Sequence, residues 1–249
     1  MKKIKIILIC FFTLTAVISG ALLVYQRIQS EDSQFQTEEL RSLTNHMGEK
    51  NREKTNPQAE KILITRNSDY QGWISVAETE LNYPLVYRSQ DNTFYLTHGY
   101  NKLKSRYGTP FIDMKCEQLW EGRNIIIYGH HMRDGTMFAM LHEYQSKEYL
   151  KKHPQIMIET KKDTRTYAIF AVVLLGPGHT FDLRSYGTIQ TEEETKEYLK
   201  EIQELKEYET GVRVNEKDEL LTLVTCEYTG NRERIVVIAR RQDERERKE

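Results

Sequence analysis

Leu221-Thr222-Leu223-Val224-Thr225-Cys226-Glu227-Tyr228 is an apolar, β-prone run that ends abruptly on a thiol. Aliphatic and β-branched residues at this density read as a buried strand presenting Cys226 at its end. A free cysteine is among the most buried residue types and usually behaves as a small hydrophobe. Cys226, however, is followed by Glu227, Thr229, Gly230, Asn231, Arg232, Glu233 and Arg234, whereas a purely structural cysteine sits more naturally among the leucines. The chain then re-enters an apolar strand, Ile235-Val236-Val237-Ile238-Ala239, so the segment reads as a hairpin with a thiol and arginines near its loop.

Working outward, short β-type runs recur from Trp73 onward: Trp73 to Val76, Tyr83 to Tyr87, Thr93 to Leu96, Thr109 to Asp113, Asn124 to Tyr128, Gln155 to Glu159 and Thr166 to Leu175. Many short strands punctuated by Gly, Pro, Asn and Asp indicate a mainly β fold, a barrel or a sandwich. Two helices interrupt the pattern. Thr136 to Tyr144 places Met137, Phe138, Leu141 and Tyr144 on one face, and Ser146 to Lys151 continues it until His153-Pro154 stops it. In the second, Thr191 and Glu194 form a capping-box pair ahead of the stripe Tyr198, Leu199, Ile202 and Leu205. That long helix lies in the connection delivering the chain to Cys226.

The N-terminus has a different character. Lys2, Lys3 and Lys5 precede an apolar run from Ile6 to Tyr25, about the 20 residues a bilayer-spanning helix needs. The lysines put the N-terminus in the cytoplasm and the remainder outside. A cleavable signal peptide is the alternative, because Ser19-Gly20-Ala21 supplies small residues, but the apolar stretch outruns a usual h-region. Residues 26–69 are polar with scattered Leu40, Leu43, Met47, Ile62 and Leu63, and read as a stalk with one or two docked helices. The organisation expected is a cytoplasmic stub and anchor over 1–25, the stalk over 26–69, a catalytic domain over 70–241 and a charged tail over 242–249. A net charge of -1 with no basic stripe argues against a nucleic-acid partner.

A thiolate nucleophile needs a partner that takes its proton or stabilises its charge, and histidine is the usual one. His130 is best placed of the seven, at the end of Asn124-Ile125-Ile126-Ile127-Tyr128-Gly129-His130, with Gly129 permitting close approach of another segment. His131 points to the opposite side if strand geometry persists. A metal held by these two with His98 or Cys116 finds no H-x-x-x-H, H-E-x-x-H or C-x-x-C spacing, so no metal or other cofactor is expected. Arg234 starts the strand after Cys226 and returns alongside the thiol. It stays protonated and can donate to a substrate carbonyl and its oxyanion, and Arg232 competes for that role. Cys116 and Cys226 are also the two cysteines beyond the anchor, so a structural disulfide between them stands as an alternative.

Thr222-Leu223-Val224-Thr225-Cys226, the downstream Arg234 and the upstream Tyr128-Gly129-His130 together resemble the sortases, specifically class B, cysteine transpeptidases of the Gram-positive cell surface. The resemblance spans about Gly72 to Arg240. It implies a closed β-barrel with N-terminal helices and a long helix inserted before the catalytic-Cys strand. It further implies Cys226 as nucleophile, His130 as acid/base and Arg234 as oxyanion and substrate clamp. The Asp91-Asn92-Thr93-Phe94-Tyr95-Leu96 segment resembles the family's sorting-signal groove, which makes Asn92, Leu96 and Glu227 substrate-binding candidates. Val224 stands where relatives often carry Ser. The implied partners are exported proteins bearing an LPXTG- or NPQTN-like sorting signal, and an amine acceptor from cell-wall peptide or lipid II. A cysteine hydrolase and a non-catalytic, membrane-tethered peptide-binding β-domain are the rival readings.

Overall fold

Eight strands close into a barrel in the order β1-β2-β3-β4-β7-β8-β6-β5. They are β1 (Tyr70–Ser75), β2 (Asn82–Tyr87), β3 (Phe111–Ile112), β4 (Asn124–His130), β5 (Gln155–Thr160), β6 (Thr164–Leu175), β7 (Leu220–Cys226) and β8 (Arg234–Arg241). This computed structural model describes residues 2–43, 57–176, 183–226 and 234–242. The strand pattern alone left barrel and sandwich open while the resemblance implied a closed barrel, and the closing pair of β1 with β5 bears out the barrel. Closure removes the edges that an open sheet leaves unpaired.

The reason β4 and β7 sit centrally is visible in their composition. All seven residues of β4 are buried, and Leu220, Leu221, Leu223 and Val224 of β7 are at most 1% exposed. Such continuous apolar runs suit strands covered on both faces, and these two pair in parallel, from Asn124 opposite Leu220 to His130 opposite Cys226. Each of those β7 side chains contributes about 1.5–3 kcal/mol by leaving water. The parallel pairing requires a crossover, which carries α3 (Lys147–Lys152), β5, β6 and α4 (Glu192–Leu205).

Helix α4 starts where its capping box is: the Thr191 hydroxyl accepts the Glu194 N–H, and the Glu194 carboxylate accepts the Thr191 N–H. Tyr198 and Ile202 of its apolar stripe are buried. The Tyr198 hydroxyl lies 2.8 Å from the Thr222 hydroxyl, which donates to Asn124 Oδ1 at 2.9 Å. One buried polar chain therefore ties α4, β7 and β4 together, and its groups satisfy one another as burial demands.

Two local expectations are corrected. Thr93 to Leu96 forms no strand: Asp91 Oδ1 accepts the Thr93 N–H and hydroxyl, and a 3-10 turn, Phe94–Leu96, follows. An acceptor side chain two residues upstream favours the turn over extended backbone. Over Thr136 to Tyr144 the buried face is as expected, but the helix is a 3-10 helix starting only at Ala139. Asp134 captures the Thr136 N–H and hydroxyl, and Met137 sits at φ 59°, which no right-handed helix admits. Helix α3 is capped by the Ser146 hydroxyl and stops at His153, ahead of Pro154.

The chain divides into two units, Met1–Glu39 and Leu40–Glu249. The first consists of most of α1 (Lys2–Leu43). Its Lys3–Tyr25 stretch is long and apolar enough to cross a membrane, at about 35 Å for 1.5 Å per residue. In the second unit the last turn of α1 docks on the barrel. Leu40 is buried, and Arg41 donates to the carbonyls of Glu80 and Asn82 with its guanidinium over the Tyr83 ring. Helix α2 (Pro57–Arg66) also docks there, burying Ala59 and Leu63.

Candidate active site

Three neighbouring strands bring the candidate residues to one end of the barrel. His130 ends β4 and Cys226 ends β7, and the two are Cα partners in the parallel ladder, which sets their backbones about 5 Å apart. β8 runs antiparallel to β7, with Leu220 opposite Arg240 and Val224 opposite Val236. Continuing that register two residues sets Arg234 opposite Cys226. Arg234 is exposed and pairs on its other side with Leu175 of β6. Glu227 and Arg232 lie outside the described residues.

Both threonines of the Thr222-to-Cys226 string act as pegs. Thr222 anchors the strand to α4 and β4 as described. Thr225 is 1% exposed, and its hydroxyl accepts the Ile235 N–H at 3.0 Å. A side chain thus takes over a ladder hydrogen bond where β7 and β8 part, holding the residue before Cys226 against the one after Arg234.

The His130 ring is buried, at 6% exposure, and its Nε2 lies 2.6 Å from the Leu96 carbonyl oxygen. A carbonyl only accepts, so Nε2 carries a proton, and in the neutral ring the basic lone pair is on Nδ1. His131 has other company: its ring lies 4.1 Å from that of His142. The two adjacent imidazoles therefore have different surroundings, as strand alternation implies.

Two glycines make room for this arrangement. A Cβ on Gly129 would meet the Phe138 ring at 2.5 Å, so Phe138 packs directly on the backbone before His130, and its N–H donates to the His130 carbonyl at 2.8 Å. Gly108 lies at φ +63°, and a Cβ there would come within 2.4 Å of the Tyr95 carbonyl oxygen and 3.1 Å of His130 Cδ2. Gly129→Ala is expected to cost about 1–3 kcal/mol by overpacking. It should also lower peptide cleavage, because Phe138 can yield only by moving the His130 backbone. Thermal unfolding and steady-state kinetics on the same variant check both effects.

Asn92 and Leu96 form the turn beside the imidazole. The Asn92 amide is engaged at both ends, donating to Asp113 Oδ2 at 3.1 Å and accepting the Met114 N–H at 2.9 Å. Leu96 is half-buried and supplies the carbonyl that holds His130. Gly108 did not stand out in the sequence, and Thr225 stood out only as part of the Thr222-to-Cys226 string; a backbone carbonyl leaves no trace there.

The Cys116 to Cys226 disulfide is overturned. Cys116 is unbonded, and its buried sulfur accepts the Ile126 N–H at 3.4 Å, four residues before the one that pairs with Cys226. Four strand residues span about 13 Å, while a disulfide requires Cα atoms within about 7 Å. Burial pushes the Cys116 thiol up to about 12, so its thiolate is scarce at pH 8. Iodoacetamide applied to the native chain at pH 8 and read by peptide mass mapping is expected to leave Cys116 unmodified, and to label it only after unfolding.

Comparison with known proteins gives the family. Residues 74–242 match the sortase domain family. Sortase B of Listeria monocytogenes is 34% identical over 165 residues, 65% of this chain and 64% of that protein. Sortase B of Staphylococcus aureus is 28% identical over 242 residues, 96% of this chain and 97% of that protein. A solved Staphylococcus aureus sortase B–substrate complex superposes with a TM-score of 0.76 at 27% identity, covering 87% of this chain and 99% of that one. The chain belongs to the sortase family, and within it to class B, a group of cysteine transpeptidases.

Proposed function

We propose that the chain is a membrane-anchored transpeptidase that cuts a C-terminal sorting motif of LPXTG or NPQTN type after Thr and transfers the acyl group to an amine of cell-wall peptide or lipid II. The observation that carries this reading is the register that lines up His130, Cys226 and Arg234 across β4, β7 and β8 at one end of the barrel.

Cys226 is the nucleophile. The thiol proton passes to His130 Nδ1 as the sulfur attacks the Thr carbonyl carbon, and the carbonyl electrons move onto oxygen. Arg234, exposed at the start of β8, hydrogen-bonds that oxyanion. The tetrahedral species collapses as the C–N bond breaks, and His130 gives the departing amine its proton, leaving a thioester. The acceptor amine then attacks the thioester carbonyl, His130 takes its proton, and the C–S bond breaks to give a new amide and a thiolate, to which His130 returns the proton, restoring the free thiol. With Nε2 held by the Leu96 carbonyl, Nδ1 is the atom we assign to this proton exchange.

Leu96 and Asn92 belong to the groove wall, Leu96 by its half-exposed side chain and Asn92 by fixing the turn to Asp113 and Met114. Glu227 is assigned to the same groove from the resemblance. The catalytic domain is assigned to 70–241. The Lys3–Tyr25 helix is the anchor, with the N-terminus cytoplasmic by the lysines before it. Anchoring raises the effective concentration of exported substrates held at the same membrane face.

Arg234→Ala is expected to lower kcat by about 10²–10³, the loss typical of an oxyanion donor, with KM changed much less. Cleavage of sorting peptides with a labelled amine acceptor tests this and the reaction together. A normal Arg234→Ala beside an inactive Arg232→Ala would reassign the clamp, and release of free acid without amide would point to a hydrolase.

A further inference from the structure

The imidazole of His130 is held at Nε2 by the Leu96 carbonyl, so the turn carrying that carbonyl helps to set the ring's position. The turn is Phe94–Leu96, and its central residue, Tyr95, is 2% exposed. The Tyr95 carbonyl accepts the Thr109 N–H at 3.0 Å. Its hydroxyl donates to Asp69 Oδ2 at 2.7 Å and accepts from Asn67 Nδ2 at 2.9 Å. Asn67, directly after α2, is 1% exposed. The same amide nitrogen donates to the Tyr100 carbonyl at 2.8 Å, Asn67 Oδ1 accepts the Asp69 N–H at 2.9 Å, and the Asn67 N–H donates to the Leu63 carbonyl. Tyr100 closes the set by donating its hydroxyl to Leu63 at 2.8 Å, and Lys102 balances Asp69 at 3.1 Å.

A phenylalanine at position 95 would fill the same space without any of these polar partners. A buried polar cluster is costly unless every member is satisfied, and when satisfied it fixes one arrangement. Here it fixes the residue next to the carbonyl that holds the candidate acid/base. We propose that Tyr95, braced by Asn67 at the end of α2, is a positioning residue for His130, which makes the helix ahead of the barrel part of the support of the reaction. The inference rests on the reading of His130 as acid/base. Without the phenol oxygen, Asn67 and Asp69 each lose a buried partner, and the turn keeps its local bonds to Asp91 and Thr109 but loses its tie to the end of α2. The 2.6 Å contact to His130 then loosens.

The test uses the full chain in detergent. Tyr95→Phe is expected to lower kcat for a sorting peptide about tenfold with KM nearly unchanged, the pattern of a misplaced catalytic group. The His130 limb of the pH–rate profile should move by about half a unit or more. Nitrogen NMR of labelled histidine should show a smaller share of the Nε2–H tautomer at His130. Asn67→Ala should reproduce these effects, and the double variant should add little, because both act through one link. If Tyr95→Phe does not fold, Asn67→Ala carries the same readouts. Tyr144→Phe, which also removes one phenol contact of a buried ring, that to the His153 carbonyl, is the control. Unchanged kcat, pH limb and tautomer in Tyr95→Phe, or equal changes in Tyr144→Phe, would overturn the proposal. Wild-type cleavage by His130→Ala would instead bring down the acid/base reading and this inference with it.

Discussion

Cys226→Ala is expected to abolish peptide cleavage, by about 10³-fold or more, while leaving the fold and peptide binding in place. The two effects separate because different atoms carry them. β7 is fixed by Leu220, Leu221, Leu223 and Val224 in the core, by the hydroxyls of Thr222 and Thr225, and by ladders to β4 and β8. None of these needs the thiol. Covalent chemistry does: with no sulfur there is no thioester, and the reaction cannot be divided into two easier steps. Parallel measurement of the melting temperature, peptide binding and cleavage checks the claim. A melting temperature lowered together with binding would mark Cys226 as a structural residue.

His130→Ala has the second largest expected effect, about 10²–10⁴ in kcat, with a modest stability loss from the hydrogen bond to Leu96, about 1 kcal/mol. The kinetic loss comes from both half-reactions, since the same ring protonates the leaving amine and deprotonates the incoming one. An acceptor amine supplied at high concentration is therefore not expected to restore the rate. His131→Ala is the matched control, because that ring packs tilted against His142. If His131→Ala is the inactive variant and His130→Ala the active one, the acid/base assignment passes to the neighbour.

The barrel strands, and the strand-end positions of His130, Cys226 and Arg234, were legible in the sequence for a physical reason. Buried strands announce themselves as apolar runs, and β4, β7 and β8 each have their candidate residue at the boundary between apolar and polar segments. The capping box of α4 was equally plain, since both of its bonds come from side chains three residues apart. What could not be read were contacts set by backbone geometry. The Leu96 carbonyl is invisible in any sequence. The Phe94–Leu96 turn looked like a strand because its aromatics have high β propensity, and the Asp91 acceptor that overrides them is a single residue. Met137 at positive φ likewise hid inside a helical periodicity. Cys116 looked able to bridge to Cys226 until the parallel register set them several residues apart along β4.

The central claim is that Cys226 forms a thioester with the sorting peptide, and intact-mass spectrometry of the full chain in detergent tests it most directly. After incubation with an LPXTG- or NPQTN-type peptide and rapid acid quench, the protein is expected to gain the mass of the peptide's N-terminal fragment up to Thr. The adduct should map to Cys226, be released by hydroxylamine and be absent in Cys226→Ala. An adduct on another residue, or cleavage that proceeds equally well in Cys226→Ala, would contradict it.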